Sequence, residues 1–286
     1  MPLGRALKVS EQMDEVSDRV PAQGTSGGLL HFLSRLRSYL IWDPLIWFYT
    51  VVLGTVSLVC SFFDRDGELQ HKVARLWARV ILLTLGIKVT LKGFDRIDTE
   101  KAYVYVVNHL SSLDIPVLYA CLPFHFRILA KKELFRYPFM GWHLKRSGQI
   151  PVVLENPREA IRSLNLAVAA VKRNMPLVIF PEGGRSPNGQ LQKFMGGAFY
   201  AAIKAQVDVI PIVLTGTYEM LPMNTFHMMP HPISLIVADP ISTSGLTTRD
   251  TEAVSSKARE EIGRIYYSHS SLPDLRDSSG PVPLPD

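Results

Sequence analysis

The sequence is poor in cysteine and lacks the patterns that several enzyme classes require. Its 286 residues contain two cysteines, Cys60 and Cys121, and Cys60 lies in an apolar run. We therefore expect no disulfide framework and a reducing compartment. Cysteine and histidine do not recur at metal-ligand spacings, so no metal site is predicted. A Gly-x-Ser-x-Gly elbow is also missing, which argues against an acyl-serine mechanism.

The ends of the chain lack the features of packed structure. Residues 1–28 are polar, mixed in charge and interrupted by Pro21 and several glycines, so they are predicted to form a disordered lead-in. They do not resemble a secretory signal, because the first apolar run begins too late and no cleavage site follows a short apolar core. Residues 271–286 are rich in proline, serine and aspartate and are predicted to form a disordered tail.

The chain is short of charge, with 20% charged and 47% hydrophobic residues, and its net charge is +5. This excess suits an anionic partner such as a phospholipid surface, a phosphate-bearing substrate or nucleic acid, although an ordinary solvated surface is also compatible with it. No cluster of lysine and arginine interleaved with aromatic residues occurs after the apolar front. We therefore predict that the partner is not nucleic acid.

A long uncharged run predicts a helix that contacts a membrane. Pro44–Phe63 contains no charged residue and, as a helix, would be roughly 30 Å long, about one hydrocarbon core. Trp42, Trp47 and Tyr49 lie near its start, where an aromatic belt would be placed. A buried core helix is the alternative, but such a run is uncommon in a soluble domain of this size, and we favour the membrane.

A second apolar segment, Val73–Leu91, is interrupted by Arg75, Arg79 and Lys88. It is more typical of an interfacial helix, or of the partner helix in a hairpin, than of an independent span. Residues 29–91 are thus predicted to form a membrane-associated two-helix element. Because a reducing compartment is indicated, we expect the catalytic domain on the cytoplasmic face of the membrane.

Residues 92–270 have the alternating pattern of an α/β domain. Predicted strands cover Ala102–Val107, Phe126–Leu129, Gln149–Val153, Leu177–Phe180, Val209–Leu214 and Ser234–Val237. Predicted helices cover Ser112–Cys121, Pro138–Arg146, Pro157–Arg173, Gly196–Ala205 and Thr251–Ser268, with Asn156 as a helix cap. This order predicts a largely parallel mixed sheet flanked by helices, with ligands bound beyond the carboxyl ends of its strands.

The first motif is Asn108–Asp114, directly after a predicted strand. His109 would stand at the strand's carboxyl end, and Asp114 in the next helix could accept from one imidazole nitrogen and leave the other free as a base. Ser111-x-x-Asp114 also fits a capping box, in which Asp114 would only accept backbone amides and His109 would be an ordinary loop histidine. The spacing favours neither interpretation.

The second motif is Phe180–Ser186, which also follows a predicted strand. Gly183 and Gly184 would allow backbone amides to approach a ligand closely. Arg185 offers a planar fork of donors that suits phosphate. The alternative is a surface turn with a solvated ion pair.

Taken together, four sequence blocks resemble those of the glycerolipid acyltransferases, and among them most closely the 1-acylglycerol-3-phosphate O-acyltransferases. The blocks are Asn108–Asp114, Lys131–Leu134, Phe180–Ser186 and Val209–Ile212, in the family's order. The resemblance extends from about Lys88 to Asp239, and its first and third blocks are the specific ones.

The resemblance implies direct acyl transfer. His109 would deprotonate the free hydroxyl of lysophosphatidic acid, which would attack the thioester of acyl-CoA or acyl carrier protein to give phosphatidic acid. Asp114 would orient His109. This chemistry needs no cofactor, no metal and no covalent intermediate.

The resemblance also implies a substrate-binding set. Lys131 and Arg185 would hold the phosphate of the acceptor, and Glu182 and Gly183 would shape its pocket. Ser186 closes the same motif and is assigned to substrate binding with them. A non-catalytic, membrane-docked lipid binder is the alternative from another class, but the pair that such a protein would lose is present.

Two positions depart from the family's pattern. Gly184 stands where threonine is common, and Leu154 stands where an arginine usually completes the second block. One cationic phosphate contact is therefore missing or is supplied by another residue, such as Arg158. A different lysolipid acceptor, including one with a larger headgroup, stays open.

Overall fold

The computed structural model describes residues 32–153 and 156–274. The predicted lead-in, most of the predicted tail and Leu154 lie outside these ranges. The first element, α1 (Phe32–Cys60), contains a π-helical segment at Ser38–Trp42 and is 29 residues long, about 43 Å. It includes most of the apolar run predicted as a membrane helix and begins 12 residues before that run.

The apolar side of α1 is left uncovered. Only 6% of its most apolar 18-residue stretch is buried, whereas a core helix would be mostly buried. Trp47 is 67% exposed and Phe48 61%, and Phe62 and Phe63, directly after the helix, are also exposed. The helix is long and apolar enough to cross a membrane, and its exposure removes the alternative of a buried core helix.

Hydroxyl side chains hold α1 against the rest of the molecule near both of its ends. The Ser38 hydroxyl donates to the backbone carbonyl of Met228 and accepts from the Met228 amide at 3.1 Å. Nearer the other end, the Ser57 hydroxyl lies 2.7 Å from Nδ1 of His143. Because both contacts reach the α/β domain, α1 lies along the surface of that domain.

The second helix, α2 (Glu68–Thr84), is a core helix on one side. Its buried residues include Ala74, Ala78, Ile81 and Leu82, which pack with the strands and the helix after β2. Arg75, one of the charges that interrupt the run, donates to the backbone carbonyls of Leu122 and Phe124. The helix ends at Thr84, before the end of the predicted segment Val73–Leu91, because the chain continues from there into the strand Val89–Lys92.

The described strands form one seven-stranded sheet. Their bounds are β1 Val89–Lys92, β2 Val104–Val107, β3 Arg127–Lys131, β4 Ile150–Val152, β5 Leu177–Ile179, β6 Val209–Thr215 and β7 Ile233–Val237. The order is β1-β7-β6-β2-β5-β3-β4. Neighbouring strands are parallel except for β6 and β7, which confirms the predicted largely parallel mixed sheet.

The remaining helices cover the two faces of the sheet, and all but the short Thr217–Met220 were predicted. Their bounds are α3 Asp114–Cys121, α4 Met140–Arg146, α5 Pro157–Lys172, α6 Gly197–Ala205, α7 Thr217–Met220 and α8 Thr251–His269. The Asn156 side chain caps α5 as expected, since it accepts from the amides of Arg158 and Glu159. Two apolar clusters, one on each face of the sheet, form the core.

The sequence did not predict β1 (Val89–Lys92), which is an edge strand of the sheet. Val89 pairs with Ile233 and Lys92 with Ile236, so the boundary predicted between residues 91 and 92 falls inside a strand. A four-residue strand directly after a helix carries too short a period-2 pattern to be recognised locally. Its partner lies more than 140 residues further along the chain.

The packing of α2 predicts different effects for two neighbouring truncations. Ile81 is 2% exposed, and Leu83 on the opposite side is 79% exposed. We expect Ile81→Ala to lower the free energy of unfolding by about 2–5 kcal/mol because it opens a cavity in the core. Leu83→Ala, the matched control, should change it by less than about 0.5 kcal/mol.

Denaturant unfolding of both variants in the same detergent measures this difference. Equal losses of stability would contradict the placement of Ile81 in the core.

Candidate active site

His109 and Asp114 are in direct contact at the carboxyl end of β2. Nδ1 of His109 lies 2.8 Å from Oδ2 of Asp114, and the Asp114 side chain is fully buried while 17% of the His109 side chain is exposed. Nε2 of His109 has no hydrogen-bond partner among the described residues, which leaves it open to a ligand. The pair thus has the geometry of a general base and its orienting carboxylate.

The capping interpretation of Asp114 is also partly correct. The same Oδ2 accepts from the amides of Leu110 at 2.7 Å and Ser111 at 2.9 Å. The reciprocal bond of a capping box is not made, because the Ser111 hydroxyl donates to the carbonyl of Leu221 and accepts from the Leu113 amide. Asp114 therefore fixes the loop backbone and the imidazole with one oxygen.

Both backbone groups of His109 are bound by the loop that follows β5. Its amide donates to Oε1 of Glu182 at 2.8 Å, and its carbonyl accepts from the Ser186 amide at 2.8 Å. The register explains this contact, since Val106 pairs with Ile179 and each motif residue lies three positions further along. The two motifs therefore meet because β2 and β5 are parallel neighbours.

Glu182 is a buried carboxyl whose oxygens both accept from backbone. Its second oxygen, Oε2, accepts from the Gln192 amide at 3.0 Å, so the side chain joins three segments of chain. Burial raises the pKa of Glu182 to about 7, and the two amide donors oppose that rise. The two backbone hydrogen bonds thus offset part of the energetic cost of burying the ionised form.

The Phe180 ring covers one face of the His109 imidazole. Its ring stacks on the His109 imidazole with 4.0 Å between ring centroids and 22° between the planes. A stacked ring restricts rotation about the side-chain bonds of His109 and keeps water from one face of the imidazole. The sequence assigns Phe180 no role, because no local pattern distinguishes it from a strand residue.

Arg185 reaches back toward the first motif. Its Nη1 donates to the Ser112 hydroxyl at 2.7 Å, so its guanidinium lies near the helix that carries Asp114. The Gly183 amide is used by the turn, since it donates to Phe180, and Gly183 has the positive φ of 73° that favours glycine. The amides of Gly184 and Arg185 have no acceptor within the described chain and remain available to an anion.

Lys131 is the last residue of β3 and is exposed. Two strand spacings, roughly 10 Å, separate β3 from β2 at the same edge of the sheet. The Lys131 ammonium makes no hydrogen bond or ion pair in residues 32–153 or 156–274. The structure thus brings His109, Asp114, Glu182, Ser186 and Arg185 together and leaves Lys131 at the rim.

Some residues of the site were not identified from the sequence. The side chain of Asn108 both donates to and accepts from the backbone of Leu214, which ties β2 to β6 beside the histidine. Ser112 and Gln192 contribute the partners of Arg185 and Glu182. In the described ranges, no group of three or more histidine, cysteine, aspartate or glutamate side chains could hold a metal ion.

Known acyltransferases are similar to this chain in sequence and in structure. A family model described as acyltransferase matches residues 88–215. The 1-acyl-sn-glycerol-3-phosphate acyltransferase of Cocos nucifera is 30% identical over 263 residues, which cover 87% of this chain and 78% of that protein. The enzyme of the same name from Saccharomyces cerevisiae is 30% identical over 255 residues, 87% of this chain and 83% of that protein.

A solved structure shares the fold. The crystal structure of the 1-acyl-sn-glycerophosphate (LPA) acyltransferase from Thermotoga maritima matches with a TM-score of 0.63 and 26% sequence identity. The match covers 82% of this chain and 97% of that one, so it includes most of the described structure.

The double role of Asp114 predicts that its two functions can be separated. In Asp114→Asn the amide oxygen can still accept from the backbone amides, so the domain should stay folded. A neutral side chain cannot stabilise an imidazolium, and we expect kcat for acyl transfer to fall by about 10³–10⁴-fold. Turnover by the purified variant and its Tm measure the two effects.

Asp250→Asn is the matched control, because Asp250 belongs to a complete capping box with Thr247 at the start of α8. It should leave kcat unchanged. Unchanged activity and stability in Asp114→Asn would make Asp114 a structural residue alone.

Proposed function

The chain belongs to the family of 1-acyl-sn-glycerol-3-phosphate acyltransferases, and we propose that His109 and Asp114 carry out its acyl transfer to 1-acylglycerol-3-phosphate, the step that gives phosphatidic acid. The observation that carries the proposal is the 2.8 Å contact between Nδ1 of His109 and the buried Oδ2 of Asp114. It leaves Nε2 as the base at the ligand-binding edge of the sheet.

The proposed reaction is a single displacement at a thioester. Nε2 of His109 takes the proton of the acceptor hydroxyl as its oxygen attacks the thioester carbonyl. The carbon–oxygen bond forms, the carbon–sulfur bond breaks, and the imidazolium returns the proton to the departing thiolate. Asp114 stabilises the imidazolium between these two proton transfers, as an orienting carboxylate does in other base-assisted acyl transfers.

Arg185 is proposed to bind the phosphate of the acceptor. Its guanidinium lies beside the first motif through its bond to Ser112, and the adjacent amides of Gly184 and Arg185 have no acceptor in the described chain. A guanidinium and two free amides at one turn suit a phosphate oxygen. Lys131, at the end of β3, is proposed to contact the same phosphate from the rim.

We propose that three residues affect substrate binding indirectly, by fixing the loop after β5: Glu182, Gly183 and Ser186. Glu182 accepts from the amides of His109 and Gln192, Gly183 makes the turn, and the Ser186 hydroxyl donates to the Gln190 carbonyl at 2.7 Å. These contacts support a positioning role, because the polar groups of Glu182 and Ser186 already face backbone.

The acyl donor and the location of the enzyme are the remaining parts of the proposal. We propose acyl-CoA or acyl carrier protein as the donor, with no cofactor, and a bilayer as the source of the acceptor. The exposed apolar side of α1 supports contact with lipid. We propose that residues 92–270 act on the cytoplasmic face, which agrees with the scarcity of cysteine.

A lysolipid acceptor with a larger headgroup is the second candidate. A Cβ built on Gly184 would meet nothing within 4 Å, so the threonine common in the family would fit there and its absence leaves open space beside Arg185. A headgroup larger than a bare phosphate monoester would find room at this position.

Replacement of the base tests the mechanism. His109→Ala should lower kcat by about 10²–10⁴-fold, because general-base assistance is lost while the fold is kept. The measurement is product formation, identified by mass, from a lysolipid and either thioester donor. His269→Ala removes an exposed histidine at the end of α8 and should retain full activity. A folded His109→Ala variant with near-normal turnover would remove the mechanism.

Replacement of Arg185 tests the acceptor. Loss of a charge-assisted phosphate contact should raise KM for 1-acylglycerol-3-phosphate by about ten- to a hundredfold in Arg185→Ala, with a smaller effect on the donor. Arg185→Lys should recover only part, because a point charge does not replace the planar fork. Arg249→Ala, at an exposed arginine before α8, is the control.

The decisive comparison uses a neutral monoacylglycerol as the second acceptor. Equal penalties on the two acceptors would show that Arg185 does not recognise the phosphate. A wild-type preference for a large-headgroup lysolipid would select the second candidate and leave the chemistry of His109 intact.

A further inference from the structure

A cleft with a volume of about 450 Å³ lies at the amino-terminal edge of the sheet, away from the active site. It opens between the starts of β3 and β4 and the last turn of α5. Its volume is in the range of small-molecule sites in proteins. From strand rise and strand spacing, it is roughly 20 Å from His109, which stands at the opposite edge.

Arg127, the first residue of β3, contributes a guanidinium to the wall of the cleft. Its Nε is buried and has no hydrogen-bond partner, and its side chain makes no ion pair within the described residues. The guanidinium lies against Gly148, where an added Cβ would come within 2.9 Å of Cζ. Gly148 has a φ of 75° and thereby leaves room for the guanidinium at the wall of the cleft.

A second arginine lines the same cleft. Arg173 follows α5 and is exposed, and its side chain makes no hydrogen bond or ion pair in residues 32–153 or 156–274. Asp66, in the turn between α1 and α2, is the one acidic residue of the lining and also makes no ion pair. Two arginines and one carboxylate give the cleft a net positive charge.

The rest of the lining is mainly apolar. It includes Ile150, Pro151, Leu166, Ala170 and Met175. A half-buried guanidinium without a partner is costly, and an anion would remove that cost. Because a guanidinium fork matches the oxygens of phosphate, the charged part of the cleft fits a phosphate and the apolar part fits a hydrocarbon group.

We propose that this cleft is a second binding site, for a phosphate monoester that carries an apolar group. Arg127 and Arg173 bind the phosphate, and the side chains of α5 and β4 contact the apolar group. Such a ligand can come from a lipid surface, since Asp66 follows the exposed Phe62 and Phe63 by a few residues, or from a soluble phosphate ester. The proposal does not depend on the reaction at His109.

Octyl phosphate is the probe, and the full chain is used in an uncharged detergent. Because the active site is also proposed to take a phosphate, binding is measured by calorimetry on Arg185→Ala protein. We expect saturable binding of octyl phosphate and none of octyl glucoside, which has the same chain without the charge. Adding Arg127→Gln should weaken binding by about ten- to a hundredfold.

Two further variants keep the test independent of folding. Arg162→Gln replaces an exposed arginine of α5 outside the cleft and should not change binding. Ala169→Leu fills the cleft without removing a charge and should weaken octyl phosphate. Unchanged affinity in both Arg127→Gln and Ala169→Leu would overturn the proposal, as would equal affinity for inorganic phosphate and octyl phosphate.

Competition separates the two sources of ligand. Displacement of octyl phosphate by vesicles that contain phosphatidic acid, but not by pure phosphatidylcholine vesicles, assigns the site to a lipid headgroup. Displacement by glycerol 3-phosphate without vesicles assigns it to a soluble ester. Failure of both to displace the probe would overturn a phosphate-ester site.

Discussion

The active site depends on two hydrogen bonds to the backbone of His109. One runs from its amide to Glu182 and the other from the Ser186 amide to its carbonyl. They join the loop after β2 to the loop after β5. The backbone of His109, which follows β2, is therefore fixed by residues that follow β5. The stacking of Phe180 on His109 and the place of Arg185 beside Ser112 follow once these two loops are joined.

Much of the site could be predicted because its residues are local in sequence. His109 and Asp114 lie five residues apart after a strand of β-branched residues, and a strand end followed by a helix start brings them together. The choice between base and cap could not be made from the spacing, because the same Oδ2 performs both tasks. The hydrogen bond from the His109 amide to Glu182 was also not predictable, since it depends on the register of β2 against β5.

The parts of the fold that sequence patterns missed depend on distant partners. β1 pairs with β7, more than 140 residues further along the chain, so the edge of the sheet is decided by a distant contact. The charges that interrupt the apolar run of α2 predicted an interfacial helix or a hairpin partner, and could not show which of its residues enter the core. Arg75 donates to backbone carbonyls at and after the end of α3, and the apolar side of α2 joins the core.

The attachment of α1 at Ser38 and at Ser57 limits how the enzyme can meet a bilayer. About 28 Å of helix separates the two contacts, and both reach the α/β domain, so α1 cannot stand across both leaflets while the domain stays outside. The proposed lipid contact is therefore sideways and confined to one leaflet. We expect an enzyme held in this way to respond to the mole fraction of its acceptor in the surface, and inert lipid to slow it by surface dilution at constant bulk concentration.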